Sequence, residues 1–277
     1  MEEQLSRLDE YLPKVTFEAI PIKDLVTDQE YQRGLSEKHV KKAVADFDIY
    51  QINPVKVSRR GGVNYVFNGQ HTIEIVAEVS GSRDTPVWCM VYEDLQYKQE
   101  ADVFANQQKH VKYLTPYEIF MANIEAGNNT QLLIKELVES YDLTISSLQK
   151  PSCVRAVGAL EYIYNHYGYD VLSRTLRLTI ETWEGSQVSL GGGILKGVAK
   201  VLSVYDTDIK DDIFVDKLSS VSEKEIIRTA KERGSGAMGY AETILIYYNK
   251  KMHNTLPMEK LYVRTPKKKV SIEEESP

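Results

Sequence analysis

Tyr65-Val66-Phe67-Asn68-Gly69-Gln70-His71-Thr72-Ile73 is the stretch on which the reading of this chain turns. Its first three residues are β-branched or aromatic, as strands prefer. Its last opens a helical pattern that continues through Val76 and Ala77. Between the two, Gly69 supplies the backbone freedom for a sharp strand-to-helix turn. The first turn of a helix presents N–H groups at the positive end of its dipole, which suits an anion such as phosphate. Gln70 and His71 stand beside that turn as hydrogen-bonding side chains. The other reading is a glycine that only turns the chain. The stretch by itself leaves both open.

Upstream, Val15 to Ile22 reads as a strand. Ser36 suits a helix N-cap ahead of Val40, Val44 and Phe47, with Glu37 well placed in the first turn. Asn53-Pro54 interrupts the chain, Val55-Lys56-Val57 alternates as a strand, and Gly61-Gly62 reads as a hairpin turn leading into Tyr65. Downstream, the helix stops near Gly81, Pro86 opens another strand, and Leu95 to Asn106 has helical spacing. Thr115 as cap with Pro116 at the first helical position starts a helix cleanly. From there to Lys251 nearly every segment is helical, broken at Gly127, Gly168, Gly191 to Gly193 and Gly234 to Gly236. The expected fold class is α+β. A small mixed-sheet domain over 1–114 precedes an all-α domain over 115–264 and a disordered tail over 265–277.

At 277 residues, with 42% hydrophobic and 27% charged, the chain is an ordinary globular sequence; collagen-like and low-complexity readings are excluded. A net charge of −6 argues against a protein that coats nucleic acid and confines any DNA contact to a local basic patch. Two cysteines are too few for a disulfide framework or a cysteine zinc site. Cys89 sits in a strand-like run and reads as a small core hydrophobe. The five histidines are scattered, so no metal site is expected. The acidic Met1-Glu2-Glu3-Gln4 start lacks the pattern of a signal peptide, and no apolar run approaches bilayer length. The expected location is cytoplasmic, with no membrane partner.

Four further features carry a functional and a plainer reading. Gly234 to Gly239 satisfies GxGxxG but follows a helix, so it reads as an interhelical loop. Gly191-Gly192-Gly193 could expose helix N–H groups to an anion but reads as a flexible helix start. Thr130 to Tyr141, a turn at Asp142 to Thr144, and Ile145 to Lys150 suggest a helix-turn-helix, with Lys150 and Arg155 as phosphate or base contacts on DNA; a helical core with a loop is the alternative. Eighteen Tyr against six Phe suits either partner-facing helices or a helical core with hydroxyls reaching solvent.

The succession from Gln32-Arg33 through Asn53-Pro54-Val55, the Gly69 turn, Pro86-Val87, Asn106 to Lys109 and Leu114-Thr115-Pro116-Tyr117-Glu118 resembles the N-terminal ParB-like domain of the ParB/sulfiredoxin superfamily. The match covers roughly residues 15 to 120. The Gly69-Gln70-His71 string is similar to the Asp-Gly-Gln-His-Arg variant found in phage, plasmid and DNA-modification-associated proteins. Gln70-His71-Thr72 stands where chromosome-partition members carry Glu-Arg-Arg. Ala105 stands where they carry a metal-binding Glu, and Lys109 replaces an Arg. Lys is a point charge where Arg grips phosphate with a planar fork. Gln70 also replaces the catalytic Cys of sulfiredoxins, which excludes their chemistry.

The resemblance implies a nucleotide- or phosphate-binding accessory protein of a phage or mobile element that acts on DNA or a DNA-associated partner. Its ligand, a nucleoside triphosphate with Mg2+, would sit at Asn68, Gly69, Gln70, His71 and Thr72, with Arg33, Asn106 and Lys109 converging on it. Homo-oligomers are compatible with it. One alternative is a phosphotransferase, phosphohydrolase or nuclease with His71 as catalytic base and Asp28, Glu30 or Glu74 as substitute carboxylates. Another is a module that binds a host protein through its Tyr-rich helices.

Overall fold

The structure, a computed structural model, describes residues 14–263 apart from 28, 29, 33, 94, 108, 110 and 235; the tail expected at 265–277 lies outside the described residues. The chain divides into two units, Met1–Lys112 and Tyr113–Pro277.

In the first unit, β1 (Val15–Pro21), β2 (Leu25–Val26), β3 (Val55–Arg60), β4 (Val63–Asn68) and β5 (Pro86–Tyr92) make one mixed sheet in the order β1-β5-β3-β4-β2. β1 is antiparallel to β5, β5 parallel to β3, β3 antiparallel to β4 and β4 parallel to β2. The β3–β4 hairpin turns on Gly61 and Gly62, whose φ angles of 57° and 81° are open to glycine and strained for other residues. Ile20, Val55, Val57, Val66, Cys89 and Val91 point to one face and form a core with Ile73. Burial raises the Cys89 thiol to about 11, as the reading of Cys89 as a core hydrophobe requires. Three helices complete the unit: α1 (Glu37–Ala45), α2 (Gln70–Ser80) and α3 (Tyr97–Asn106). Ser36 caps α1 by accepting from His39 N–H, as expected. Phe47 lies beyond the end of α1 and does not continue its apolar face, because Asp46 leaves helical geometry at φ −114°, ψ 36°.

The second unit is helical, with α4 (Pro116–Glu125), α5 (Asn129–Glu139), α6 (Val157–Tyr167), α7 (Tyr169–Trp183), α8 (Gly192–Tyr205), α9 (Asp211–Ser219), α10 (Glu223–Arg233) and α11 (Gly236–Asn249). α4 opens on the reciprocal Thr115/Glu118 capping box. The one departure from helix among the described residues of the unit's core is a pair of short parallel strands, β6 (Thr144–Ile145) and β7 (Cys153–Val154). This pair corrects the helix-turn-helix expectation. Thr144 N–H donates to Ser152 C=O at 2.8 Å and Ser146 N–H to Val154 C=O at 3.2 Å. Residues 146–152 connect the two strands without a helix, and Ser152 turns at φ 59°. Lys150, on the loop between the strands, and Arg155, just after β7, are exposed and carried by no helix.

Of the two readings of the Tyr excess, several tyrosines follow the helical-core one, with hydroxyls bonded inside the unit where solvent was expected. Several hydroxyls tie helices together inside the unit. Tyr205 donates to Pro257 C=O at 2.6 Å, Tyr247 to Glu225 at 2.7 Å and Tyr262 to Glu242 at 2.6 Å, and Tyr248 accepts from Lys210 N–H at 3.0 Å. A Phe at these places would fill the space and leave the partner unmet. Asp211 joins α9 to α7. Burial acts to raise its carboxyl, but hydrogen bonds from Arg174 and Arg177 outweigh it and hold the group below its ordinary range.

The glycines at the start of α8 serve packing, where a flexible helix start was expected. A Cβ on Gly193 would come within 2.4 Å of the Tyr240 ring, and one on Gly197 within 2.5 Å of Tyr240 Cβ. α8 and α11 thus touch through bare backbone. Gly197→Ala is expected to lower the second unit's stability by about 1–3 kcal/mol through overpacking, read as a lower midpoint in urea. An unchanged midpoint would show that α11 yields freely. Gly239 repeats the device on α11, lying against Ala230 C=O of α10, and the GxGxxG string is split between a short loop and the start of α11. None of the helices is long and apolar enough to cross a membrane.

Candidate functional site

β4 ends at Asn68 and α2 begins at Gln70, so Gly69 alone carries the chain from sheet to helix. Its φ of 109° lies in the left-handed region, and an added Cβ would sit 3.2 Å from Val55 Cα. Glycine is thus required twice, by conformation and by the close approach of β3. The positive end of the α2 dipole faces the turn, and a cavity of about 180 Å³ opens there. Among the described residues its wall includes Gln32, Asn68, Gln70, His71 and Thr72, with Phe67 and Phe104 as its aromatic sides, and no Asp, Glu, Lys or Arg.

The side chains of this wall are held in place. Gln32 donates its amide N–H to Val66 C=O, which leaves Gln32 Oε1 buried without a hydrogen-bond partner. Asn68 donates to Gln107 Oε1 at 2.6 Å. His71 Nε2 accepts from Ser36 N–H at 3.1 Å, and the ring meets His39 edge to face at 5.3 Å between centroids. Accepting at Nε2 puts the proton of the neutral ring on Nδ1. As a catalytic base, His71 would have to give up the bond that joins α2 to the cap of α1.

The sequence-derived partners divide. Asn68, Gly69, Gln70, His71 and Thr72 come together around the cavity. Asn106 does not join them: its amide turns back on its own helix, donating to Asp102 C=O at 3.0 Å and Asp102 Oδ1 at 2.9 Å. Lys109 is exposed and does not line the cavity. Arg33 and Asp28 lie outside the described residues. Glu74, a substitute carboxylate by expectation, is gripped by Arg83 at 2.9 and 3.0 Å, and Glu30 is exposed away from the cavity wall. No cluster of three or more metal-ligating side chains occurs among the described residues, and the described wall of the turn cavity offers no carboxylate for Mg2+.

Behind the cavity lies a group that sequence reasoning missed. Glu100 of α3 is fully buried, at 0% exposure. Arg60 Nε approaches its Oε1 at 2.6 Å, and Tyr31 donates to its Oε2 at 3.2 Å. The Arg60 guanidinium lies over the Tyr65 ring at 4.1 Å, and the Tyr31 ring packs against Tyr97 and Phe104 at 5.4 and 5.7 Å. Burial and the adjacent Glu100 carboxylate push the Tyr31 phenol well above its ordinary range. Tyr31 immediately precedes Gln32, and Phe104 forms a cavity side, so this cluster fixes two parts of the wall. The signal was present: Glu100 falls inside the apolar stripe Tyr97, Ala101, Phe104 of α3, where a carboxylate needs a buried cation.

A family profile described as "Family of unknown function (DUF6551)" matches residues 26–260. No curated protein matches the chain. Among solved structures, the C-terminally truncated chromosome-partitioning protein ParB from Caulobacter crescentus complexed with CTP-gamma-S aligns at 11% identity and a TM-score of 0.36, over 83% of this chain and 98% of that one. The same protein complexed to the centromeric parS site aligns at 12% identity and a TM-score of 0.25, over 81% and 96%.

Proposed function

The chain belongs to the DUF6551 family, and we propose that it binds a nucleotide or phosphate group at the Asn68–Thr72 turn, as an accessory protein of a phage or mobile element that acts on DNA or a DNA-associated partner. One observation carries the binding: a glycine that no other residue replaces without strain aims the start of α2 into a cavity walled by amides and imidazoles. A helix start in such a place favours an anion, and the buried Gln32 Oε1 offers an acceptor to a ligand donor. The resemblance of the chain order to the ParB-like domain adds support from a different direction. Lys150, exposed on the β6–β7 loop, and Arg155, exposed just after β7, are the candidate contacts to DNA in the second unit.

The grip on phosphate differs from that of a cationic site. With no Lys or Arg in the described wall, amide and backbone donors carry most of the binding, and each net hydrogen bond contributes about 0.5–1.5 kcal/mol. Calorimetry with the four nucleoside triphosphates, with and without Mg2+, is expected to show binding that Gln70→Ala weakens by about threefold to tenfold. His71→Ala is expected to weaken it further, because the bond to Ser36 N–H is lost as well. Absence of any heat with all four nucleotides would end this reading.

A further inference from the structure

β1 and β2 form the two edges of the first unit's sheet. β2 is two residues long, and so short an edge offers little for another chain to pair with. β1 runs seven residues, pairs with β5 along its whole length without a bulge, and has no strand on its other side among the described residues. Sheets commonly blunt such an edge with Lys, a bulge or a short length, and β1 has none of these. Its one charged side chain, Glu18, is held by Arg59 at 2.7 and 3.0 Å.

Alternation along the strand decides what the edge presents. Ile20 turns into the core beside Val87. Val15, Phe17 and Ala19 turn to the opposite face, directly beside Tyr92, Met90 and Trp88 of β5. Toward the middle of the sheet this face is covered: Ser58, which pairs with Tyr92, is fully buried. At the β1 edge it is open. Phe17 is 58% exposed and Trp88 64%, so two large apolar groups stand beside an open backbone edge.

We propose that β1 pairs antiparallel with β1 of a second copy of this chain, so that the sheet continues across a two-fold axis. Self-pairing restricts the register. Backbone groups that point outward alternate along an edge, so facing residues are both odd or both even and the axis passes through a residue. An axis at Glu18 would set two carboxylates face to face. An axis at Phe17 sets Phe17 against Phe17, Val15 against Ala19 and Thr16 against Glu18. A branched side chain then meets a small one, a hydroxyl meets a carboxylate, and no like charges oppose. Thr16 already donates to Glu18 along its own strand at 2.9 Å and can donate to the facing Glu18 instead. This match of the strand to itself is what selects a second copy over an unrelated strand. The outer face of the joined sheet would carry an unbroken apolar row, Met90 and Phe17 of one copy followed by Phe17 and Met90 of the other.

Sedimentation velocity on the full chain is expected to show a monomer–dimer equilibrium that shifts with concentration. A single pair of facing strands makes a small contact, so the dimer is expected to be weak. Phe17→Lys sets two ammonium groups across the axis and should weaken the dimer by about a hundredfold. Phe17 is exposed, so this variant should keep the unit folded, and its thermal midpoint checks that it does. Phe17→Cys tests the register. At the axis the two Cα atoms would stand about 4.5–5.5 Å apart, within the reach of a disulfide. Oxidation should therefore crosslink Phe17→Cys and leave Ala19→Cys uncrosslinked, along with the wild-type chain and its free Cys89 and Cys153. A chain that stays monomeric at every concentration overturns the inference and leaves the edge to a strand of another protein. A dimer that Phe17→Lys leaves intact, or that crosslinks through Ala19→Cys in place of Phe17→Cys, overturns it as well.

Discussion

Glu100→Ala is expected to cost the first unit about 3–5 kcal/mol, the largest loss of any single substitution considered. The carboxylate is fully buried and answers two groups at once, the Arg60 guanidinium at 2.6 Å and the Tyr31 hydroxyl at 3.2 Å. Removing it strands a cation beneath Tyr65 and Tyr97, without the one ion-pair partner it has among the described residues, and leaves a phenol without its acceptor. Uncompensated charge, more than a lost attraction, sets the size of the effect. The double variant Arg60→Met with Glu100→Leu should therefore recover most of the stability, since it removes both charges and keeps the volume. Urea denaturation of the three proteins separates these accounts. A loss below about 1 kcal/mol for Glu100→Ala would mean that Arg60 swings out to water and that the pair contributes little. Tyr31→Phe removes a single hydrogen bond and is expected to cost about 1 kcal/mol. Because Tyr31 leads into Gln32, even this mild variant should disturb one side of the turn cavity.

Features written in a few consecutive residues were legible in the sequence. Gly61-Gly62 demands positive φ and gives the hairpin; Ser36 and the Thr115/Glu118 box mark helix starts through bonds three residues long. The Gly69 turn belongs to the same class. What the sequence concealed depends on partners far along the chain. Glu100 stands in the apolar stripe of α3, which marks it as a buried carboxylate, but nothing local names Arg60, forty residues earlier, as its partner. Ile145 to Lys150 has helical composition, yet Ile145 ends a short strand paired in parallel with Val154, a partner that no local pattern announces. Asn106 and Lys109 fail to reach the cavity for a geometric reason. α3 ends at Asn106, whose amide is satisfied one turn back by Asp102, and the next residue, Gln107, meets Asn68 in its place. Gly193 and Gly197, four residues apart on one helix, did carry a readable signal of close helix contact, because small residues at that spacing form a flat stripe.

Gly69→Ala is expected to be the second most damaging change, and the one that joins fold to site. At φ 109° and ψ 13° an alanine lies outside the regions open to L-residues, a strain of about 1–3 kcal/mol. Its methyl would also press on Val55 at 3.2 Å, where the nearest atoms include the backbone Cα of β3 and both methyls of a fully buried side chain. Backbone in a sheet gives way less readily than a side-chain tip, so overpacking adds about 1 kcal/mol or more. The strain can relax only by moving the start of α2 away from β3. That shift would carry Gln70, His71 and Thr72 with it and pull His71 from Ser36 N–H. Nucleotide binding should therefore fall together with stability. By contrast, Gly81→Ala, at the far end of the same helix with φ 69° and nothing within 4 Å, should lower stability and spare binding. Calorimetry and urea denaturation on the two variants decide the matter. Equal binding by both would show that the glycine serves the turn alone and that the start of α2 holds no ligand.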